Sequence, residues 1–493
     1  MKKSQNQRQR SQSRERWMRM LLLGLVCTVG VGIVSSARAD WTRFRGPNGS
    51  GVAEDKEATP ATWSDKENLK WKIALPGSGV SCPIVVGDKV FVTCYSGYGV
   101  SREAMGSEKD LKRHLLCIDR ATGKTLWEKV VPSAVAEDPY QGMGVPQHGY
   151  ASHTPTSDGK NVYVFYGKSG VLAYDMSGNQ LWQTSVGTSS DDREWGSSSS
   201  PIVFEDLVIV PAGPEGRAIV GLDKYTGKEQ WRSDADTLGN VWGTPALAKV
   251  ADSTELVIGA PSEIWGLNPK NGKLRWYCNY VDSDQFSSSV VVDGDTVFAV
   301  EGRGGGSIAV KAGGKDDVSN AAQVVWKGRD SSSFASPIIY QGRMYYVSRR
   351  TITCLDAKTH DKIFEGRFKG PNGEAAAPAQ GPGGGAGGFG AGGGGGPGGP
   401  GGAGGRGGRG GGGGGGGGFG STDYGSPVIA DGKIYFVARN GDAYVLEAGT
   451  EFKQIAVNRV TTETEEFSAT PAISGGELFI RSNKHLYCVS AKK

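Results

Sequence analysis

Cys117-Ile-Asp-Arg-Ala-Thr-Gly-Lys-Thr-Leu-Trp127 returns as Gly221-Leu-Asp-Lys-Tyr-Thr-Gly-Lys-Glu-Gln-Trp231 and again as Gly266-Leu-Asn-Pro-Lys-Asn-Gly-Lys-Leu-Arg-Trp276. A shortened copy runs from Ala173 to Trp182, and weaker copies end at Trp326 and Phe364. Each copy reads as the end of one strand, a tight turn and the start of the next. The Gly supplies the positive φ that such a turn needs. The Trp opens an outer strand, where it can bury on the order of 200 Å² against a neighbouring unit. Trp71, Trp127, Trp182, Trp231, Trp276 and Trp326 are therefore expected to dock each unit on the next.

Upstream of each copy stands Ser/Thr-x-Pro or a close variant, followed by two or three apolar residues. These starts fall at Pro83, Pro155, Pro201, Pro245, Ser289 (where Pro is missing), Pro337, Pro427 and Pro471. Turn pairs follow within a few residues: Gly87-Asp88, Asp158-Gly159, Glu205-Asp206, Asp293-Gly294, Gln341-Gly342, Asp431-Gly432 and Gly475-Gly476. Such pairs suit two-residue hairpins. In the fourth unit Ala251-Asp252 reads as part of a longer loop. The runs between turns, such as Val162-Tyr-Val-Phe165 and Ile434-Tyr-Phe-Val437, are β-branched and aromatic.

Four strands in about 45 residues, repeated eight times, close radially. The expectation is an all-β fold, an eight-bladed β-propeller of four-stranded antiparallel blades over residues 69–493. Lys70-Trp71-Lys72 is an outer strand without a blade before it, and the C-terminus stops where an outer strand should begin. The last blade is thus expected to be closed by the N-terminal strand, which removes two free edges. Residues 40–68 are left as an N-terminal extension.

Residues 1–39 read as a secretory signal peptide: a basic start, an apolar run from Met18 to Val34, and Ala37-Arg38-Ala39 before Asp40. An exported, periplasmic or cell-envelope protein follows, with no stable membrane span after cleavage; an uncleaved anchor is the other reading. This leader carries eight Lys or Arg and one Glu. The remaining chain has 47 basic and 50 acidic residues, so its net charge is −3 where the full chain has +4. Nothing in that balance calls for nucleic acid, and the chain is expected to be a monomer.

The mature chain holds six Cys, none adjacent and none spaced as Cys-x-x-Cys, which argues against zinc. Cys94 and Cys117, at the end of one strand and the start of the next, form a candidate disulfide. Buried small hydrophobes are the alternative. His148 and His153 flank Tyr150 with no acid or Cys at ligand spacing, so no metal site is expected. Residues 370–421 break the period; Gly fills 30 of the 40 positions from Gly381 to Gly420. No period of three exists, which excludes a collagen helix, and the segment reads as a disordered surface insertion.

The Asp-x-x-Thr-Gly-x-x-x-Trp signature resembles the PQQ-like propeller repeat, shared by quinoprotein alcohol dehydrogenases and the BamB-type envelope scaffold. The opening Trp41-Thr-Arg-Phe-Arg-Gly-Pro-Asn-Gly-Ser-Gly51 is similar to the start of exported repeat proteins of the planctomycete type. The dehydrogenase branch implies a quinone stacked on a disulfide of adjacent Cys, a calcium ion and an Asp base. No adjacent Cys pair and no motif-matched Asp stand here, and no other catalytic motif is present. The BamB branch implies a non-catalytic scaffold without a cofactor, binding a protein or peptide partner at the envelope. The alternative is a PQQ- and calcium-dependent oxidoreductase, or a quinone- or polyanion-binding sensor.

One constellation stands apart from the repeat. An aromatic precedes each inner strand: Tyr150, Trp195, Trp242, Phe286, Phe334, Tyr424 and Phe467. In the later units Arg303, Arg350 and Arg439 follow the second strand, on the same face. The expectation is a funnel with an aromatic ring and a basic rim, able to stack a planar ligand or grip an extended segment. Sealing of blade junctions is the alternative role.

Overall fold

The computed structural model describes residues 40–54, 56–101, 105–142, 144–302, 305–332, 334–376 and 423–491. The leader, Arg303 and most of the Gly-rich insertion lie outside them. Eight sheets succeed one another along the chain. Blades 1 to 7 span residues 84–132, 156–184, 202–234, 246–279, 291–328, 338–367 and 428–458. Blade 8 is made of Ala472–Ser474, Glu477–Arg481 and His485–Ser490, closed by Leu69–Ala74. The chain is therefore an eight-bladed, nearly all-β propeller whose last blade is completed by the N-terminal strand.

Each inner strand begins directly after the repeated proline, or after Val290 in blade 5, one residue beyond the expected Ser289. Proline holds the preceding residue extended. The residue at that position is Cys82, Thr154, Ser200, Thr244, Ser289 (ahead of Val290), Ser336, Ser426 or Thr470, and in each blade it faces the next. The amide of Cys82 donates to Thr154 Oγ1 at 2.9 Å, that of Thr154 to Ser200 Oγ at 2.9 Å, and that of Ser200 to Thr244 Oγ1 at 3.0 Å. Thr244, Ser289, Ser336 and Ser426 continue the series into Ser289, Ser336, Ser426 and Thr470 at 2.9–3.0 Å. Thr470 donates to the Cys82 sulfur and closes the circle.

At the outer edge the tryptophans work from blade to blade. Trp71, Trp127, Trp182 and Trp326 donate from Nε1 to Arg120, Met176, Lys224 and Ala357, carbonyls in the last turn of the following blade, at 2.9–3.1 Å. The turn Gly lies under the indole. A Cβ at Gly123 (φ +75°) would stand 2.8 Å from the Trp71 ring. In blade 6 His360 takes the glycine's place at φ +68° and stacks on Trp326 with ring centroids 4.3 Å apart. Trp231 covers Gly272. Trp276 bonds Glu255 of its own blade at 2.7 Å, because blade 5 has a longer loop at this point. That loop adds Asp316–Asp317 to blade 4 as a fifth, parallel strand. Ala251-Asp252 is a two-residue hairpin turn with Ala251 at φ +47°, not part of a longer loop.

The supposed extension is a plug. Trp41 pairs with Val85 of blade 1, and the Thr42 carbonyl accepts from Ser157 of blade 2. Arg43 reaches the Pro245 carbonyl at 2.6 Å and Arg45 the Pro337 carbonyl at 2.7 Å. Asn48 bonds both backbone groups of Leu247, and Gly51 and Ala53 bracket Ile429. One short segment thus ties blades 1, 2, 4, 6 and 7 across the axis. Of the Gly-rich insertion, residues 370–376 are ordered as a small return, with Ala376 donating to Phe368 at 2.8 Å.

The Cys94–Cys117 pair does not form. Cys94 lies opposite His114 and Cys117 opposite Phe91, so the two thiols project to different faces of blade 1 and into different cores. All six propeller cysteines are free and buried. Burial pushes the Cys94 and Cys117 thiols up to about 12. In a thiol-reagent assay these six are expected to be silent in the native protein and to react together in denaturant; rapid native labelling would contradict the packing.

Candidate functional site

The circle of Ser and Thr at the inner-strand starts surrounds a cavity of about 180 Å³ on the axis. Ser200, Thr244, Ser289, Ser336, Ser426 and Thr470 form its wall, with Cys82. Phe44 of the plug forms part of its lining, held between Arg43 and Arg45. The mouth is framed by two aromatic pairs. Trp195 and Trp242 lie with ring centroids 5.9 Å apart, and Phe334 and Tyr424 4.8 Å apart. Trp242 is fixed by Nε1–H donating to the Gly196 carbonyl at 2.7 Å. His148 is fixed between Ser152 and the Trp195 carbonyl, at 2.6 and 2.8 Å.

Four of the seven expected aromatics therefore meet at the cavity. Tyr150 does not: it is buried behind the mouth, donating to the Asp138 carbonyl at 2.7 Å and meeting Tyr95 edge-on. Phe286 is wholly buried and packs over Gly259, and Phe467 is buried beside Tyr487. These three seal blade junctions. The basic rim is neutralised. Arg350 is buried on Asp423 at 3.1 Å, and Arg439 on Glu466 at 3.1 Å and Gln147 at 3.2 Å, with its guanidinium 5.6 Å from the Tyr424 ring. Arg303 lies outside the described residues.

Sequence reasoning missed the floor and the wall. The Ser/Thr-x-Pro pattern marks the strand start but leaves unspecified the position directly before the proline, which builds the wall. Phe44 and its two arginines carry no signal of their axial position. Arg43, Arg45 and Arg481 are each buried without a carboxylate partner among the described residues. Burial lowers their pKa to about 9, 9 and 10, which leaves all three charged at neutral pH. Arg481 donates from Nη1 to the carbonyl and the hydroxyl of Ser81, beside Cys82.

No Asp, Glu, Lys or Arg lines the cavity among the described residues. A calcium ion would find no carboxylate there and would meet the field of buried arginines. A quinone would find no vicinal disulfide to stack on, since every propeller cysteine is a single buried thiol. The residues present do not fit a quinone–calcium pair.

Behind the mouth lies a second, smaller polar nest. Ser197 Oγ bridges His153 Nε2, at 2.8 Å, and the Glu215 carboxylate, while Lys168 pairs with Asp138 at 2.8 Å and Arg113 with Glu137 at 2.8 Å. His153 Nδ1, Glu215 Oε2 and Tyr166 Oη have no protein partner. Elsewhere, Glu463, Glu465 and His485 stand close enough to share an ion, but Glu465 is already engaged by His485 at 2.7 Å and Tyr487 at 2.8 Å.

Residues 111–364, just over half of the chain, match the model of the family described as outer membrane protein assembly factor BamB. The chain belongs to this family. No curated protein matches it. Among solved structures, BamB from Moraxella catarrhalis is similar, at 12% identity and a TM-score of 0.52, covering 85% of this chain and 99% of that one. A europium-containing methanol dehydrogenase is similar at 10% identity and a TM-score of 0.55, covering 92% and 98%. Quinohemoprotein alcohol dehydrogenase from Comamonas testosteroni follows at 11% and 0.56, covering 92% and 81%. Identities this low carry the PQQ-like propeller fold alone. A BamB-like propeller fits an envelope protein, and no described helix is long and apolar enough to cross a membrane.

Burial raises the Glu215 carboxyl to about 7 from 4.5. The folded state then holds this proton where the unfolded chain has lost it. The stability this contributes is complete below about pH 4.5 and is lost as pH rises through about 7. Urea midpoints at about pH 5 and about pH 8 should show wild type losing stability relative to Glu215→Gln as pH rises. An unchanged difference would contradict the buried protonated carboxyl.

Proposed function

We propose that this protein is a non-catalytic binding propeller of the cell envelope, and that the axial cavity takes up a segment of a protein or peptide partner. The observation that carries the reading is the chemistry of the cavity: a hydroxyl wall and two facing aromatic pairs, with no charged side chain in the lining. Aromatic faces offer large contact area with little conformational entropy to lose. Hydroxyls can donate to the carbonyls of an extended segment. BamB-family membership supports a protein partner. The oxidoreductase reading draws support only from the shared fold, and one fold hosts unrelated activities. General acid–base work would need a titratable group at the reacting atoms. His148 is the one titratable imidazole in the lining, and both its ring nitrogens are engaged within the protein.

The test is a synthetic peptide library screened for binding to the purified protein by tryptophan fluorescence. Trp195→Ala and Trp242→Ala are each expected to weaken binding of the selected peptides at least about tenfold while the Tm moves only a few degrees. A collapse of stability in both variants, with binding of the surviving fold unchanged, would assign the two indoles to blade sealing. In parallel, protein mixed with PQQ and calcium is expected to give no alcohol-dependent dye reduction; turnover would replace the scaffold reading with the oxidoreductase one.

A further inference from the structure

Five oxygens of the inner circle that line the cavity, those of Ser200, Thr244, Ser289, Ser336 and Ser426, each accept an amide N–H from the preceding blade. Among the described residues none of the five passes its own proton to a protein acceptor. An accepted hydrogen bond polarises a hydroxyl and makes it a better donor. The cavity is therefore belted by O–H donors, all supplied by the same position of successive blades.

Charge of one sign stands behind the belt. Arg43 and Arg45 each spend one Nη2 on a proline carbonyl. Arg43 Nε, Arg45 Nε and Nη1, and Arg481 Nε and Nη2 are buried with no partner. Arg45 Nη2 bonds the carbonyls of Pro337 and Pro427, next to Ser336 and Ser426 of the wall, and Arg481 Nη1 bonds Ser81, next to Cys82. Buried cations without a counter-charge are costly, and a protein that keeps them gains from any anion brought close. Donors converging on the axis, cations beneath and no acid in the lining define an anion receptor. Its mouth adds a second requirement. Trp195 with Trp242 on one side, and Phe334 with Tyr424 on the other, favour an apolar or aromatic body behind the anionic tip. A small inorganic anion would leave these faces unused.

We propose that the axial cavity receives the C-terminal carboxylate of a partner chain, the hydroxyl belt holding the carboxylate in the positive field of the buried arginines behind it while the aromatic pairs hold its last, apolar side chain. This rests on the peptide-binding reading above and narrows it. A carboxylate offers two oxygens and about four lone-pair sites, which a ring of donors can satisfy from several directions. Capture of chain termini by convergent donors is an established recognition mode in general. Here the donors are side-chain hydroxyls of the propeller's own closure.

The experiment uses the full chain and two synthetic peptides of one sequence, acetyl-Gly-Ser-Gly-Phe, one with a free C-terminus and one amidated. Binding is followed by tryptophan fluorescence and by calorimetry. The free acid is expected to bind at least about tenfold more tightly than the amide, and acetate is expected to compete. Because Arg45→Met can disturb the plug, Arg481→Gln is measured beside it. In any variant that keeps the wild-type circular dichroism, the acid-over-amide preference is expected to fall to about twofold or less. Equal binding of acid and amide would overturn the carboxylate assignment and leave the peptide reading standing. Binding of N-acetylphenylalanine without binding of either peptide would overturn the peptide source and leave a small-acid site. Binding of none of the three would overturn both readings.

Discussion

A circle of seven amide-to-hydroxyl hydrogen bonds, completed at the eighth blade junction by Thr470 against the Cys82 thiol, sets the geometry on which everything else in this molecule stands. Each bond joins the start of one inner strand to the start of the next, and the last returns to the Cys82 sulfur. One such bond contributes only about 1 kcal/mol net. Its importance is positional: it fixes where every inner strand enters the axis, and so where the loops of the mouth emerge. The proline that follows in seven of the eight blades has no N–H to compete for the acceptor and keeps its predecessor extended. At the rim the indole-on-turn contacts perform the complementary task. They set the angle between blades while the inner circle sets the radius.

The fold was legible because its determinants are local and repeated. A Trp after a turn, a Pro before an apolar run and a dipeptide turn between them are visible at single positions, and eight copies average out the weak ones. The axial site was half legible. An aromatic before each inner strand occupies a loop that can turn inward to the axis or sideways between blades, and residue type is the same for both. Trp195, Trp242, Phe334 and Tyr424 turn inward; Tyr150, Phe286 and Phe467 turn sideways, where glycines such as Gly259 leave room. The rim arginines misled for a related reason. Their acidic partners, Asp423 and Glu466, sit on neighbouring loops, and no spacing within the sequence announces the pairing. The disulfide expectation failed on parity, since a register three residues out puts two side chains on opposite faces of a sheet.

Fold and activity part company at the axis. Propellers of this architecture include dehydrogenases as well as BamB, and the overall superposition does not distinguish them. The lining does bear on the question. A quinone–calcium pair would need a carboxylate where this cavity has hydroxyls, and two adjacent cysteines where it has the single thiol of Cys82. Behind the lining stand Arg43, Arg45 and Arg481, buried without a carboxylate partner among the described residues, two of them on the plug.

That plug has a consequence for the order of events in the life of the chain. Residues 41–53 and the strand at 69–74 leave the ribosome well before the groups they bind at Ile429 and at 485–490. Neither the complete axial floor nor the eighth blade can exist before those groups have been made. The nascent chain must carry open sheet edges until residues 485–490 are free to pair with 69–74, so closure of the eighth blade comes late. Contacts of such long sequence separation are slow to form. The protein becomes a ring only once that blade has closed.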